Sequence, residues 1–341
     1  MNVAVDDVGS FPLPPNVDRK TFEKAFVLAR EAISKGEDLG KNRLLADFCQ
    51  IVTESFRLKC SAGLDVVNYP QHYDMHRQFA ELIHKAMDSG TYVVTEKDAI
   101  IPEVHVISSE AKSLSEELKS PLRLRVCVTG PLELYLREIG KTGFKDVLFM
   151  FAETVRRFAR NSVLDSKYVR TEVVSLDEPS FGFQEVSVDN DLVVEVFEKA
   201  FDFSGAVKQI HLHSPARASD LLKVGNLDVL SFEYAASPKN LGSITKKALE
   251  EADKSVRVGV ARTDIDAIRA ELYEKGVTAP TAEQLVEGEK TIQKRFARVK
   301  EIYGERFAFT GPDCGLGGWP TQKSAHLLLK RTVNAVKNTE T

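Results

Sequence analysis

The feature that most constrains the fold is a regular alternation of short β-branched runs with longer stretches of helical period. Eight runs predict strands, at residues 3–8, 64–67, 122–128, 171–176, 208–212, 228–232, 256–260 and 307–310. Eight strands that alternate with helices predict a closed (β/α)8 barrel of the TIM type. The alternative is an open doubly wound sheet, which usually carries a glycine-rich phosphate loop after its first strand. Here the first strand ends in Val8-Gly9-Ser10-Phe11-Pro12, which favours the barrel.

Helical period fills the intervals between the strands. It predicts helices at 19–34, 42–62, 73–87, 131–139, 144–165, 192–201, 216–222, 243–252, 264–274, 281–303 and 322–337. The segment 91–106 breaks this pattern, and its brief alternation predicts an extra hairpin or long loop. Neither an internal repeat nor a linker interrupts the 341 residues, so we expect one catalytic domain over 1–341.

Composition and charge exclude several classes of protein. The net charge of -4 provides no basic footprint, so we expect no nucleic-acid partner. No apolar run approaches the length of about 20 residues that spans a bilayer, and residues 1–8 lack the regions of a signal peptide. We therefore expect a cytoplasmic protein that does not associate with membranes. Four scattered cysteines do not form a disulfide framework, and only Cys314 lies in a glycine-rich loop context.

Metal-binding side chains follow three of the predicted strands. In a barrel, the chemistry lies in the loops after the carboxyl ends of the strands. His211 and His213 close the fifth strand, Glu233 follows the sixth, and Cys314 follows the eighth. Residues two apart on a strand point to the same side, so both imidazoles can face one ion. Four ligands of nitrogen, oxygen and sulfur suit Zn²⁺. The structural alternative is a histidine pair that binds only backbone or water, which is the commoner fate of an isolated His-x-His.

Two further strand exits carry polar residues that could hold a substrate. Asp177 and Glu178 are adjacent, so only one of them can face the barrel axis, which argues against an acid and base pair. Asp177 could bind a substrate ammonium group or cap the following helix, and both interpretations stay open. Gly9 and Ser10 could offer N–H groups and a hydroxyl to a carboxylate, and the structural alternative is a plain turn.

The order of these motifs resembles the catalytic C-terminal domain of cobalamin-independent methionine synthase, in the short form without an N-terminal barrel. The resemblance is carried by Val8–Pro12, Thr129-Gly130-Pro131, Asp177-Glu178-Pro179, His211-Leu212-His213, Phe232-Glu233 and Pro312-Asp313-Cys314-Gly315-Leu316. It implies a (β/α)8 fold, a catalytic zinc ion and methyl transfer to the thiol of homocysteine, which gives methionine. His211, Glu233 and Cys314 match the family's zinc ligands. Ser10, with Gly9 beside it, and Asp177 match residues that hold the amino acid part of homocysteine.

Three positions depart from the family pattern. His213 stands where the family has a cysteine, Tyr69 where it has a glutamate near the substrate amino group, and Asp266 where it has a histidine tied to proton delivery to the departing pterin. The resemblance thus implies a substrate contact for Tyr69 and a catalytic role for Asp266. We expect His211, His213 and Cys314 as firm ligands and Glu233 as the labile or fourth one.

The methyl donor follows less directly from the resemblance, which implies a methyl-tetrahydropterin. A neutral His213 in place of a cysteine thiolate gives the zinc and its ligands one negative charge fewer, so that a bound thiolate forms more easily and is less nucleophilic. A more reactive donor, such as a methyl-corrinoid protein, would suit that thiolate. In long relatives the N-terminal barrel helps to hold the polyglutamate pterin, and a chain without it must manage alone or use a protein-bound corrinoid.

Three alternative functions stay open at this stage. A zinc ion with an open position could activate water for hydrolysis, although no general base is evident beside it. The methyl acceptor could be another thiol, such as coenzyme M. The departures at Tyr69, His213 and Asp266 could instead mark a barrel without catalysis that serves as a subunit, and the absence of zinc would favour that.

Overall fold

Eight parallel strands form the barrel in the computed structural model, which describes residues 2–340. In chain order they are β1 Ala4–Val5, β2 Val67–Asn68, β3 Leu122–Thr129, β4 Val169–Asp177, β5 Val207–Leu212, β6 Val229–Phe232, β7 Ser255–Ala261 and β8 Phe307–Pro312. Strands β2 to β8 pair in order, and β8 pairs with β1. A parallel bridge between Asp6 and Val66 joins the two remaining edges, so the predicted (β/α)8 fold is confirmed.

Thirteen α-helices of the described residues surround the strands. They are α1 Arg19–Ser34, α2 Arg43–Cys60, α3 Arg77–Asp88, α4 Pro102–Leu118, α5 Pro131–Glu138, α6 Lys145–Asn161, α7 Asn190–Ala200, α8 Ala218–Leu221, α9 Lys246–Glu251, α10 Ile265–Glu274, α11 Ala282–Leu285, α12 Glu289–Tyr303 and α13 Gln322–Glu340. Helix α1 begins where the sequence predicts, because the Asp18 side chain accepts a hydrogen bond from the Thr21 N–H and caps its first turn. Within residues 2–340, none of the helices has the length and apolarity to cross a membrane.

The segment 91–106 corrects one prediction. All of its residues are described, and they form a loop over 91–101 and the first turn of α4 from Pro102, without a strand. Proline fits the first helical position, where its missing N–H has no partner to lose. The loop is held against α6, since the Val94 N–H donates to Thr154 Oγ1 over 3.0 Å. The prediction of a long loop is therefore right for 91–101, and that of a hairpin is wrong.

The barrel interior contains charged side chains directly beside a small apolar cluster. Val66, Val173, Val229 and Phe309 form a small apolar cluster, separate from the main core. Arg125 and Arg257 lie in register with two members of that cluster and are fully buried. Both guanidinium groups bind the carboxylate of Asp6, from Arg125 Nη1 over 2.6 Å and from Arg257 Nε over 2.7 Å. A buried charge without a counterion is very unfavourable, so this shared carboxylate stabilises the interior directly beneath the strand exits.

Candidate metal centre

The four predicted metal ligands lie together at the carboxyl ends of the strands. One ligand atom from each of His211, His213, Glu233 and Cys314 lies within 4.8 Å of all the others. His211 belongs to β5, and the other three residues follow the ends of β5, β6 and β8. Strands β5, β6 and β8, with β7 between the last two, therefore bring together residues as far apart in sequence as His213 and Cys314, which are 101 positions apart.

His211 is oriented before any ion binds. Its Nδ1 lies 2.9 Å from Ser231 Oγ on the neighbouring strand, and its buried Nε2 has no hydrogen-bond partner within residues 2–340. Burial lowers the pKa of His211 well below its ordinary value, and the nearby His213 and Arg257 act in the same direction. The ring is therefore neutral, and neutral imidazole is the form that ligates metals. A buried nitrogen without a partner fits a metal-ligand bond at this position.

His213, Glu233 and Cys314 make the other side of the cluster. His213 Nε2 lies 3.5 Å from Glu233 Oε1 and 3.6 Å from Cys314 Sγ. Burial raises the pKa of Glu233 to about 8, helped by the carboxylates of Asp313 and Asp264. Burial also raises the pKa of Cys314 to about 12, with Glu233 adding to the effect. A divalent cation would favour both anions, and two anions with two neutral imidazoles would balance its charge. This set of N, O and S donors fits Zn²⁺.

Two buried polar side chains join the loops that carry these ligands. Asn240 Nδ2 donates to the backbone oxygens of His213 and Glu233, over 2.8 and 2.9 Å. The Asp313 carboxylate accepts the three N–H groups that follow Glu233, from Tyr234, Ala235 and Ala236. The exits of β5, β6 and β8 are thereby bound to one another.

Neither Asn240 nor Asp313 is predicted as a functional residue from the sequence. The position of Asp313 directly before Cys314 is the only signal that could have indicated its role. Gly259 makes room for the Asp313 carboxylate, because a Cβ there would lie 2.2 Å from Asp313 Oδ1.

Gly9 and Ser10 lie beside the loop that carries Cys314. Ser10 Oγ accepts a hydrogen bond from the Gly317 N–H over 3.0 Å, and the Ser10 carbonyl accepts one from the Leu316 N–H over 2.7 Å. Gly9 has a φ of +52°, which favours glycine. The backbone N–H groups of Gly9 and Ser10 have no acceptor within the described residues. The turn therefore keeps two donors available for a ligand.

Asp177 and Glu178 point to different surroundings. Asp177 accepts a hydrogen bond from Ser175 Oγ over 2.9 Å, and burial raises its pKa to about 6 against the opposing effect of Arg125 and Arg257. Glu178 instead accepts the N–H groups of Leu132 and Glu133 at the start of α5. The helix after β4 is capped by Asp189, so Asp177 is not its cap.

Neither Tyr69 nor Asp266 forms a hydrogen bond with any of the four candidate ligands within the described residues. Tyr69 is fully buried, and its hydroxyl donates to the Cys127 carbonyl over 2.9 Å. Asp266 is exposed in the first turn of α10. The carboxylate after β7 that raises the pKa of Glu233 is Asp264, which the sequence does not single out. The roles expected for Tyr69 and Asp266 stay predictions.

Comparison with known proteins supports the architecture. A B12-independent methionine synthase from Shewanella sp. W3-18-1, solved in complex with selenomethionine, aligns with a TM-score of 0.62 and 13% identity over 100% of this chain and 98% of that one. An endo-1,4-β-mannanase from Rhizomucor miehei aligns with a TM-score of 0.45 at 13% identity, over 98% of this chain and 95% of that one, which is too weak to support an inference. No protein-family model matches the chain, and no curated protein sequence matches it. At this identity, the likeness to the synthase shows a shared barrel fold.

Proposed function

We propose that this chain is a single-domain, zinc-dependent methyltransferase that moves a methyl group onto the thiol of homocysteine to give methionine. The observation that carries the proposal is the convergence of His211, His213, Glu233 and Cys314, with ligand atoms within 4.8 Å of one another. The partnerless Nε2 of His211 supports it, and so does the barrel fold shared with a methionine synthase.

Each ligand has its own part in the proposed site. His211, His213 and Cys314 would hold the ion. Glu233 would yield to the incoming thiol, because the only polar contact of its carboxylate within the described residues is His213. A bound zinc ion lowers the pKa of a thiol that binds to it, so that sulfur is available as a thiolate nucleophile at neutral pH.

The remaining site residues would orient the two substrates. Asp177 would bind the ammonium group of homocysteine, and the free N–H groups of Gly9 and Ser10 would bind its carboxylate. In-line attack on a methyl group depends mainly on this positioning. The donor would be a methyl-corrinoid protein or a methyl-tetrahydropterin. Exposed Asp266 would serve the leaving group of the donor, and Tyr69 would support the substrate pocket through the Cys127 carbonyl.

Metal content tests this function. We expect one zinc ion per chain in the purified protein, retained in Cys49→Ala, whose thiol lies outside the cluster. The variants His213→Ala and Cys314→Ala should both lose the ion. A protein without zinc, or a Cys314→Ala variant that retains it, would contradict the proposal. Release of a proton when homocysteine binds to the zinc-loaded protein would then support thiol activation.

A further inference from the structure

Gln71 has a strained backbone within the barrel mouth. Its φ of +35° lies in the left-handed region that side-chain-bearing residues seldom adopt. Of the three described non-glycine residues with positive φ, Lys119 and Asp253 are exposed, and only Gln71 is buried. Such strain persists where the surroundings impose it, and it concentrates at functional sites.

The neighbours of Gln71 hold it in this conformation from both sides. The Pro70 carbonyl accepts the N–H of Phe11 over 2.9 Å, and the His72 N–H donates to Glu103 Oε1 over 2.8 Å. His72 Nδ1 lies a further 2.9 Å from the Phe11 carbonyl oxygen. The backbone bonds of Pro70 and His72 therefore hold the backbone of Gln71, and its side-chain amide contributes none of them.

The Gln71 amide lies against Gly9 without a hydrogen-bond partner. Its Oε1 is 2.8 Å from the position that a Cβ on Gly9 would take. The residue is only 4% exposed, and within residues 2–340 its amide forms no hydrogen bond. The amide atoms themselves remain within reach of solvent at the barrel mouth. A molecule from outside the chain can therefore supply the partner that the amide lacks.

The chemistry around Gln71 selects an anion as that partner. The N–H groups of Gly9 and Ser10 also lack acceptors within the described residues. A carboxylate only accepts hydrogen bonds, so it can take the two backbone donors and, once the Gln71 amide is turned so that Nε2 and not Oε1 faces Gly9, the amide donor as well. Asp177 is a buried acid, and it is the group suited to an ammonium. A neutral glutamine beside Gly9 binds the carboxylate without the repulsion that an acidic side chain would add.

We propose that Gln71 is a specificity-determining residue, whose amide joins the N–H groups of Gly9 and Ser10 to bind the carboxylate of an amino-acid thiol. The inference rests on the proposed function and adds a carboxylate contact by Gln71, two residues after the Tyr69 position that the resemblance links to the substrate amino group. Ser10 Oγ is bound to the Gly317 N–H, in the loop that carries Cys314. The carboxylate subsite and the metal centre thus border the same loop, as the proposal requires for one small molecule that carries both a carboxylate and a thiol.

Two thiols test the assignment. L-homocysteine and 3-aminopropane-1-thiol differ only in the carboxylate, and calorimetry gives the Kd of each for the zinc-loaded protein. The variant Gln71→Glu should weaken homocysteine about tenfold or more and leave the aminothiol within about twofold. The variant Gln71→Gly removes the amide and relieves the strain at φ +35°. It should therefore be at least as stable as the wild type in urea while it also binds homocysteine more weakly.

The control is Gln50→Glu, the same chemical change on an exposed position of α2. It should leave both affinities unchanged. Equal weakening of both thiols in the Gln71 variants, or no weakening of either, would overturn the inference and would mean that the amide binds only water or a non-discriminating part of the ligand. Failure of both thiols to bind to the zinc-loaded wild type would overturn the proposed function itself, and this inference with it.

Discussion

Arg257 and Asp6 form an ion pair at the centre of the barrel, with Nε 2.7 Å from Oδ1 and neither side chain exposed. Arg257 Nη2 also donates to the Pro312 carbonyl over 2.8 Å, two residues before Cys314. The pair therefore connects the charged interior to the strand exit that carries a predicted metal ligand. The stability of the barrel and the position of the metal centre thus depend on the same guanidinium group.

Replacement of Asp6 by asparagine should destabilise the protein strongly. It would leave two buried guanidinium groups without the carboxylate that both of them bind. We expect the free energy of unfolding to fall by about 3–5 kcal/mol, measured by urea denaturation. Asp253→Asn removes the partner of Arg306 in a pair whose carboxylate is exposed, and it should change stability by less than about 1 kcal/mol. Similar losses in the two variants would contradict this account of the interior.

Asn240→Ala should reduce zinc affinity while the fold remains. The change removes the two hydrogen bonds that hold the His213 and Glu233 carbonyls. Groups that orient metal ligands typically contribute about 10- to 100-fold to affinity, and we expect a loss in that range in competition with a chelator. The d–d spectrum of the cobalt-substituted variant should shift as well. Asn226→Ala, which removes a hydrogen bond from the Asn226 side-chain amide to the Glu198 carbonyl, should leave both measurements unchanged. An unaltered affinity in Asn240→Ala would show that the loops hold their positions without this amide.

Asp177→Asn should discriminate between two thiol acceptors. Homocysteine has an ammonium group and coenzyme M has none, so only homocysteine should lose an ionic contact when the buried carboxylate becomes an amide. We expect homocysteine affinity to fall about tenfold or more and coenzyme M binding to stay unchanged. Ser175→Ala is the companion variant, because it removes the hydroxyl that donates to Asp177 and should give a smaller change. Weaker binding of coenzyme M in Asp177→Asn would place this residue at the sulfur end of the substrate.

The number of protons released when the protein takes up zinc should depend on pH. In the metal-free protein, the pKa of Cys314 is raised to about 12 and that of Glu233 to about 8, and both histidines have lowered pKa values. At pH 7 both anionic ligands are therefore mostly protonated, and about two protons should leave as zinc binds. Above pH 9 Glu233 is already ionised, so the number should fall towards about one.

Calorimetry in buffers of different ionisation enthalpy gives these proton counts. The variant Glu233→Gln should release about one proton per zinc at both pH values, because its amide has no proton to lose. A proton count that does not change with pH in the wild type would mean that Glu233 does not ligate the ion or that its pKa is close to the ordinary value.

The sequence predicts the barrel and the four-residue cluster because both depend on local patterns. Alternating periods locate the strands. At β3 the sequence predicts residues 122–128, and the structure has Leu122–Thr129. His211 and His213 are recognisable because residues two apart on a strand share a side, and parallel strands place their exits at one end.

Other parts of the molecule have no local signal. Arg257 meets Asp6 across 251 positions of sequence, and a single asparagine such as Asn240 has no partner spacing. Gln71 adopts its strained φ because bonds to Phe11 and Glu103 fix its neighbours, and such tertiary constraints override residue preference. Helix α4, Pro102–Leu118, is absent from the helices that the sequence predicts, because the brief alternation over 91–106 conceals the proline that begins it.

The position of His213 has a consequence for how this centre could diverge. Its side chain begins one residue after Leu212, the last residue of β5, and its backbone is held through its carbonyl oxygen by Asn240. Neither the position after β5 nor the hydrogen bond to the carbonyl depends on the type of side chain. An exchange between histidine and cysteine here would change the net charge of the four-ligand set by one unit and leave the strand pairing and the loop bonds in place. Under the proposed function, the charge of the centre is thus adjustable at a single position without a change in the backbone bonds around it.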